Sequence, residues 1–253
     1  MAVDVERRFG GVSRLYGTAG ATRLSSAKVA VVGIGGVGSW AAEALARSGV
    51  GALLLVDLDM VAESNTNRQI HALDSNFGKA KVRAMAERIA EINPNCQVCQ
   101  KEEFATPENI ADLLEPSLDA VIDATDQVRA KVAITAYCRS NGIRLVTVGA
   151  AGGQIDPTRV RVDDLSRTVQ DPLLARVRSD LRRHCGFPRE AGKRFGISAV
   201  FSEEPVRRPR LDDVCTADGL NGLNCAGYGS SVCVTAVFGL VAAAQIMNGL
   251  ASE

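Results

Sequence analysis

The sequence predicts an α/β protein with a doubly wound, Rossmann-like and mostly parallel sheet, followed by a C-terminal extension and an apolar C-terminal helix. Two observations carry this prediction. Apolar, β-branched runs alternate with helical patterns as far as residue 149, which is typical of crossover units that place helices on both faces of a parallel sheet. A cluster of glycines in "VAVVGIGGVGSWAAEAL" (29–45) directly follows the first apolar run and opens the first helical pattern.

The elements of the first half alternate regularly. Strands are predicted at 28–33, 52–57, 96–100, 118–123 and 143–149. Helices are predicted between them at 36–48, 79–92, 107–114 and 127–141. The proline in "INPNC" (92–96) supports the end of the second helix, because proline is common just after a helix ends. We therefore expect residues 1–150 to form one Rossmann-like nucleotide-binding domain.

The second half has a different pattern. "GAAGGQIDPTRVRVDDL" (149–165) predicts a glycine-rich turn followed by an alternating strand at 159–162. The segment 166–224 is polar and rich in arginine, and we expect it to be partly mobile. Residues 231–250 form an apolar stretch that nearly reaches transmembrane length, but polar residues and glycines interrupt it, so a buried helix is favoured over a membrane span. Residues 151–253 are expected to complete the same globule.

The composition limits the cellular context. Lys and Arg together number 29, as do Asp and Glu, so the overall charge neither favours nor excludes a nucleic-acid partner. The first residues lack the apolar core of a secretory signal. Seven cysteines without regular spacing indicate reduced thiols. We expect a cytoplasmic protein without stable membrane insertion, and the alternative is association with a membrane through the apolar helix.

The glycine cluster has the spacing of a phosphate-binding turn. Gly33, Gly35 and Gly38 follow a strand and open a helix, with Gly36 between them. Glycine lets backbone N–H groups approach a phosphate without a Cβ in the way. Asp57 ends the next predicted strand, 19 residues after Gly38, where a carboxylate can accept hydrogen bonds from ribose hydroxyls. The pattern indicates a bound ribonucleotide but also suits NAD.

Charged residues further along favour a nucleoside triphosphate over NAD. Arg68 and Lys81 lie within one crossover, and two cations suit phosphates whose charge must be neutralised as pyrophosphate leaves. Asp126 follows the fourth predicted strand, where a carboxylate can hold Mg²⁺ at the mouth of the sheet. Each cation alone could be a solvated surface charge, but their combination with the glycine turn and the two aspartates favours a site.

These motifs together resemble the ThiF-type adenylating enzymes. The matching segments are "GIGGVGS", "DLDxVxxSNxNRQ", "GKAKV", "INP" and "IDATD", over roughly residues 8–150. The resemblance implies that a carboxylate attacks the α-phosphate of ATP and gives an acyl-adenylate and pyrophosphate. It implies contacts of Asp57 with ribose, of Asn65 and Arg68 with phosphates, of Lys81 with the leaving pyrophosphate and of Asp126 with magnesium. The nucleotide site implied by this resemblance comprises Gly33, Gly35, Gly36, Gly38, Asp57, Asp59, Asn65, Arg68, Gln69, Lys81 and Asp126.

The resemblance also implies a homodimer, in which an N-terminal arginine reaches the nucleotide of the partner subunit. Arg14 or Arg8 could fill this position, and the sequence does not decide between them. ATP and magnesium are the implied cofactors, and a monovalent cation is left open.

Further segments resemble one branch of this superfamily, the dehydratases that act on threonylcarbamoyladenosine in tRNA. They include "NRQIHAL", "VRAKVAITAYCR", "VFSEEP" and "NCAGYGSSVCVTAVFG". This resemblance implies ATP-dependent activation of the threonyl carboxylate, ring closure by a side-chain nitrogen, and a possible cysteine-desulfurase or sulfur-acceptor partner. The alternatives are an activator of a ubiquitin-like sulfur-carrier protein and a non-catalytic scaffold that retains the fold.

The cysteines argue against zinc. The only CxxC pair, Cys96 and Cys99, lies in a predicted strand that would separate the two thiols, and no second pair exists for a four-ligand site. Cys225 stands in "NCAGYGSS", where the resemblance implies a cysteine that could act as a nucleophile. A small buried side chain is the more common role for a free cysteine. His71 is expected to be a packing or loop residue rather than an acid–base group.

The last candidate site is a basic segment. Residues 176–210 contain ten Lys or Arg and four Asp or Glu, a charge asymmetry that suits a surface that follows RNA phosphates. A solvated face is the alternative. The candidate RNA-binding residues are Arg182, Arg183, Arg207, Arg208 and Arg210.

Overall fold

The structure is a computed structural model that describes residues 4–207 and 228–252. Its strands are β1 (Lys28–Val32), β2 (Ala52–Val56), β3 (Gln97–Lys101), β4 (Ala120–Asp123), β5 (Arg144–Val148), β6 (Val160–Asp164) and β7 (Ser198–Ser202). Its α-helices are α1 (Val5–Ser26), α2 (Gly38–Arg47), α3 (Lys81–Ile92), α4 (Ile110–Leu113), α5 (Val128–Asn141), α6 (Pro172–His184) and α7 (Val232–Ala251). All five strands predicted for the first half, and the four helices between them, are present.

The seven strands form one sheet in the order β3-β2-β1-β4-β5-β7-β6. All neighbouring strands are parallel except β6, which pairs antiparallel with β7 at the edge. The chain runs outward from β1 through β2 to β3, and then returns to β4 on the other side of β1. This reversal places a topological switch point between β1 and β4, and ligands of doubly wound sheets bind outside the carboxyl ends of the strands at such a point. The predicted fold class is confirmed.

Helices cover both faces of the sheet. One face packs against α1, α2, α3 and α7, and the other packs against α4, α5 and α6. Successive residues of the central strands alternate between the two cores, as Val31 and Val32 do on β1. Because both faces are buried, these strands consist of continuous apolar runs rather than alternating ones.

Two regions differ from the sequence prediction. Helix α1 was not predicted, because its glycines weaken the helical pattern and Gly17 interrupts it with a φ of 73°. The expectation of partial mobility from 166 to 224 is wrong for α6 and β7. Leu174 and Val177 of α6 are fully buried, and β7 is inserted between β5 and β6.

The predicted apolar helix is present as α7. By length and composition it could cross a membrane, but 44% of its most apolar window is buried inside the protein. It packs mainly against α2 and also against α1 and β5. At one close contact, a Cβ added to Gly239 would lie 2.3 Å from the carbonyl oxygen of Val37, so only glycine allows the two helices to approach this closely.

Candidate nucleotide-binding site

A cavity of about 280 Å³ opens at the carboxyl ends of β1, β2, β4 and β5, at the switch point of the sheet. Its wall contains most of the predicted nucleotide site, namely Gly33, Gly35, Gly36, Asp57, Asp59, Arg68, Gln69, Lys81 and Asp126. These residues come from separate segments of the chain, and the parallel sheet helps to bring them together because its central strands end at the same edge.

The glycine turn is held by the strands on both sides. Gly33 has a φ of 89° and donates its N–H to the carbonyl oxygen of Val56 over 2.8 Å. A Cβ on Gly38 would lie 1.8 Å from the carbonyl oxygen of Gly33, so the first turn of α2 closes directly over the end of β1. Gly38 supports this turn and is not part of the cavity wall.

Asp57 connects the turn to the next crossover. Its Oδ2 accepts the N–H of Ile34 over 2.6 Å, and its Oδ1 accepts the N–H of Asp59 over 2.8 Å. Burial raises the pKa of Asp57 above its usual range, while Lys81 and the backbone donors act in the opposite direction. Each carboxylate oxygen has a second lone pair, so Asp57 can still accept a hydroxyl from a ligand.

Lys81 is the first residue of α3, and its ammonium lies between two carboxylates. The Nζ atom is 2.6 Å from Oδ2 of Asp59 and 4.0 Å from Oδ1 of Asp57. The side chain is almost fully buried, whereas that of Asp59 is half exposed. This arrangement holds a positive charge at the cavity wall.

Arg68 lies across the glycine turn. Its Nη1 donates to the carbonyl oxygen of Ser64 and to Oδ1 of Asn67, both over 2.9 Å. Its own carbonyl oxygen accepts the indole N–H of Trp40. Its Cγ would lie 3.0 Å from a Cβ on Gly36, so the absence of a side chain at Gly36 lets the arginine lie close to the turn.

Asn65 is placed differently from the rest of the predicted site. It is buried, its Oδ1 accepts the N–H of Ala62 over 3.1 Å, and it does not line the cavity. In this structure it closes the turn that precedes Arg68.

Two buried polar atoms in the cavity wall have no hydrogen-bond partner among the residues that the structure describes. They are Oε1 of Gln69 and Oγ1 of Thr235, and both side chains are almost fully buried. Buried polar atoms are normally satisfied, so unpartnered atoms in a cavity indicate places where a polar ligand or water binds. Together with the glycine turn and the cations, they fit a nucleotide with its phosphates.

The sequence prediction missed several residues of the cavity wall. They are Phe104 and Gln127, the Gly149–Ala151 loop after β5, Leu173 of α6 and Thr235 of α7. Phe104 is 47% exposed and offers an apolar surface for a base. Gly149–Ala151 and Thr235 lie in segments that the sequence analysis quotes, but nothing in those segments assigns them to the nucleotide site. The folded chain brings all of these residues to the cavity.

The other predicted site residues are spread over the structure. Arg8 donates to the carbonyl oxygens of Glu91 and Ile92 at the end of α3 in its own chain, whereas Arg14 is exposed. The side chain of Arg207 forms an ion pair with Glu204, and its backbone N–H donates to the carbonyl oxygen of Gly153. Cys225, Arg208 and Arg210 lie outside the described residues.

The free cysteines of the described residues include two that burial makes unreactive. Burial raises the pKa of the Cys96 thiol to about 11 and that of Cys138 to about 12. A thiol with such a pKa is almost entirely protonated at neutral pH and is a poor nucleophile or metal ligand. Cys96 is half-buried just before β3 and Cys99 is exposed on β3. Within the part of the chain that the structure describes, no group of three or more His, Cys, Asp or Glu is placed to hold a metal ion.

His71 is fully buried, and in the described part of the chain both of its ring nitrogens lack a hydrogen-bond partner. Burial lowers its pKa to about 4, and the charges of Lys81 and Arg88 contribute in the same direction. Its neutral ring is a packing group, as the sequence predicts.

The pKa of His71 makes the stability of the protein depend on pH. Since the folded pKa of about 4 lies below the ordinary 6.5, the unfolded chain binds the proton more readily between these values. His71 should therefore cost about 2 kcal/mol of stability when the pH falls from 8 to 5. We expect His71→Leu to lose less stability over this range in urea unfolding. Identical pH dependence in the two proteins would contradict this prediction.

The fold and the cavity define a class of α/β proteins with a nucleotide-binding glycine turn and cationic side chains in the cavity wall. The chain belongs to the ThiF family, whose match extends over residues 11–252.

Several relatives carry the name tRNA threonylcarbamoyladenosine dehydratase. The tRNA threonylcarbamoyladenosine dehydratase of Escherichia coli is 49% identical, over 98% of this chain and 94% of that protein. The dehydratase of Haemophilus influenzae is 46% identical over the same shares of the two chains. A solved structure of the E. coli dehydratase in complex with ATP superposes with a TM-score of 0.89 at 46% identity, covering 100% of this chain and 97% of that one. A second structure of that enzyme contains AMP.

Proposed function

We propose that this chain is an ATP-dependent tRNA threonylcarbamoyladenosine dehydratase, which adenylates the threonyl carboxylate and drives its cyclisation. The observation that carries this proposal is the nearly full-length likeness to dehydratases of this name, combined with a cavity that has cations and buried polar atoms of the kind a nucleotide needs. Residues 1–150 would be the adenylation domain, and residues 151–253 would complete the same globule.

The chemistry explains why ATP is consumed. A free carboxylate is a poor electrophile, whereas an acyl-adenylate has AMP as a good leaving group. A carboxylate oxygen attacks the α-phosphate and pyrophosphate leaves. A side-chain nitrogen then attacks the acyl carbon, loses its proton and displaces AMP, which carries the former carboxylate oxygen. The net change in the nucleoside is the loss of one water.

Several groups of the cavity would have a role in this scheme. The glycine turn would hold the phosphates, Asp57 would accept the ribose hydroxyls, and Phe104 would lie against the adenine. Arg68 and Lys81 would neutralise the charge that develops on the departing pyrophosphate. Cys225 would have no necessary part, because ring closure needs no protein nucleophile.

Asp126 fits the magnesium that accompanies ATP. It is exposed at the mouth of the cavity, beyond the end of β4, and a carboxylate is the ligand that magnesium prefers. Magnesium bound there would neutralise phosphate charge. The donor set that the structure describes does not suit a structural zinc, and we propose that none is needed.

We also propose a homodimer in the cytoplasm, in which Arg14 contacts the nucleotide of the partner subunit. Arg8 is occupied by carbonyl oxygens of its own chain, whereas Arg14 is exposed on α1. The buried face of α7 supports a core helix rather than a membrane anchor.

The reaction is tested with purified protein, ATP, magnesium and tRNA that carries the linear modification. We expect AMP, pyrophosphate and a nucleoside that is lighter by one water in mass analysis, and no reaction when EDTA is added. AMP formation only with a small carrier protein would instead establish the sulfur-carrier activator. The absence of AMP with either acceptor would favour a scaffold.

A further inference from the structure

A groove rich in arginine lies on the outer face of α6, outside the nucleotide cavity. It is lined by Ala175, Arg178, Ser179, Arg182, Arg183 and Arg189, which we call the arginine groove. The opposite face of α6 is buried in the core through Leu174, Val177 and Leu181. The small side chains of Ala175 and Ser179, one helical turn apart, leave space between the arginines.

The arginines of this groove are held in place by the fold. Arg182 donates from Nε to the carbonyl oxygen of Pro188, and its guanidinium lies 5.0 Å from the ring centroid of Phe195. Arg189 donates from Nε to the carbonyl oxygen of Arg182 over 3.2 Å. These contacts occupy one donor of each guanidinium, and arginine has five, so most donors remain for a ligand.

Within residues 4–207 and 228–252, no ion pair neutralises the charge of the groove. Among the described residues, none of its four arginines forms a salt bridge with a carboxylate. Burial, followed by the nearby charge of Arg182, lowers the pKa of Arg178. Glu190, the acidic residue next to Arg189, is paired with Lys193 instead. An anion bound in the groove would relieve this repulsion.

The same helix connects the groove to the nucleotide cavity. Asp171 caps the start of α6 by accepting the N–H of Leu174, and its other oxygen accepts the N–H of Ala150 in the cavity wall. Leu173, two residues further, lines the cavity itself. At a rise of about 1.5 Å per residue, Arg182 lies roughly 14 Å along the helix from Leu173.

We propose that the arginine groove binds backbone phosphates of the tRNA substrate, close in the chain to the adenosine whose carboxylate enters the cavity. This inference rests on the proposed function. Arginine is suited to phosphate because its planar donors can bind two oxygens at once. Phe187 and Phe195 are buried, so the groove would bind phosphates and would not stack on bases.

The test uses Arg183→Gln combined with Arg189→Gln in the full-length protein. Both side chains are exposed, so the double variant should fold normally. The matched control is Lys28→Gln combined with Arg83→Gln, which removes two exposed charges elsewhere. Lys28 lies at the start of β1, at the end of the sheet opposite the cavity, and Arg83 lies on α3, against the other face of the sheet.

We expect the groove variant to raise the KM for tRNA roughly tenfold, because two charge-assisted contacts are lost. The KM for ATP and the kcat should stay within about twofold of the wild type. The slope of log Kd for tRNA against log salt should become less steep by about 1.4, since each phosphate contact on a single strand contributes about 0.7. The control should match the wild type in all four quantities.

Binding of tRNA, followed by fluorescence anisotropy, separates the failure of the groove from the failure of the proposed function. If the wild type binds tRNA without converting it, the proposed function fails. The groove is then tested by the binding data alone, through the Kd values and salt slopes of the groove variant and the control. If the wild type converts tRNA and the groove variant matches the control, the groove is not the phosphate site. If the wild type does not bind tRNA at all, both proposals are overturned.

Discussion

Lys81→Ala is expected to reduce turnover by about 10²- to 10³-fold, the usual loss when one preorganised group that stabilises transition-state charge is removed. The ammonium of Lys81 is held 2.6 Å from Oδ2 of Asp59 at the cavity wall. It is therefore already in place when negative charge accumulates on the departing pyrophosphate. Binding of tRNA should remain unchanged, because the arginine groove lies on another helix.

Lys79→Ala provides the control for Lys81→Ala. Lys79 lies two residues earlier, and its ammonium pairs with Glu87, 2.8 Å away, outside the cavity. Single-turnover assays of AMP release, tRNA binding and thermal unfolding should be compared for the two variants. The unfolding measurement is needed because Lys81 is the cation that the described residues place near the buried carboxylate of Asp57. Turnover of Lys81→Ala within about threefold of the control would remove this lysine from the mechanism.

The parallel core was predictable because its determinants are local. The strands β1, β2 and β4 consist mostly of apolar residues, and the glycine turn directly follows the first of them. Positions at strand ends could also be predicted, since parallel strands place their carboxyl ends at one edge of the sheet. Asp57 and Asp126 therefore meet in the cavity, although 69 residues separate them in the chain.

The remaining elements depend on tertiary contacts. Helix α1 contains glycines that disfavour a helix by local propensity, yet Gly20 is where α1 meets Ala251 at the end of α7. Helix α6 was not predicted because the arginines on its outer face lower its mean hydropathy. Four of its apolar residues nevertheless form a buried stripe. Charge composition alone suggested mobility there, whereas the spacing of the leucines determines the helix.

The residues of the cavity also fall into two groups: those that a local motif marks and those that only tertiary packing brings to the cavity. Arg68 and Lys81 lie in recognisable segments, and both are found in its wall. Thr235 and Leu173 come from helices whose packing against the sheet cannot be deduced from a local pattern. Asn65 illustrates the opposite case, because it lies in a recognisable segment but its side chain is used by the turn itself.

Lys131→Met is expected to destabilise the protein by about 3–5 kcal/mol, because it leaves a fully buried carboxylate without its counterion. The Nζ atom of Lys131 is 3.1 Å from Oδ2 of Asp123 and 3.2 Å from the carbonyl oxygen of the same residue. Both side chains are completely buried. A loss of this size is a large part of the 5–15 kcal/mol that ordinarily stabilises a domain.

The other hydrogen bonds of Asp123 show which second substitution can test the role of the Asp123–Lys131 ion pair. Its Oδ1 accepts the N–H and hydroxyl of Thr125, and its Oδ2 accepts the hydroxyl of Thr147 over 2.8 Å. Asparagine can retain most of these hydrogen bonds without a charge. Adding Asp123→Asn to Lys131→Met should therefore recover much of the lost stability in urea unfolding. Arg129→Met, an exposed change on the same helix, should cost little. If the double variant were less stable than Lys131→Met alone, the uncompensated charge would not be the cause, and the loss would have to come from packing of the lysine chain.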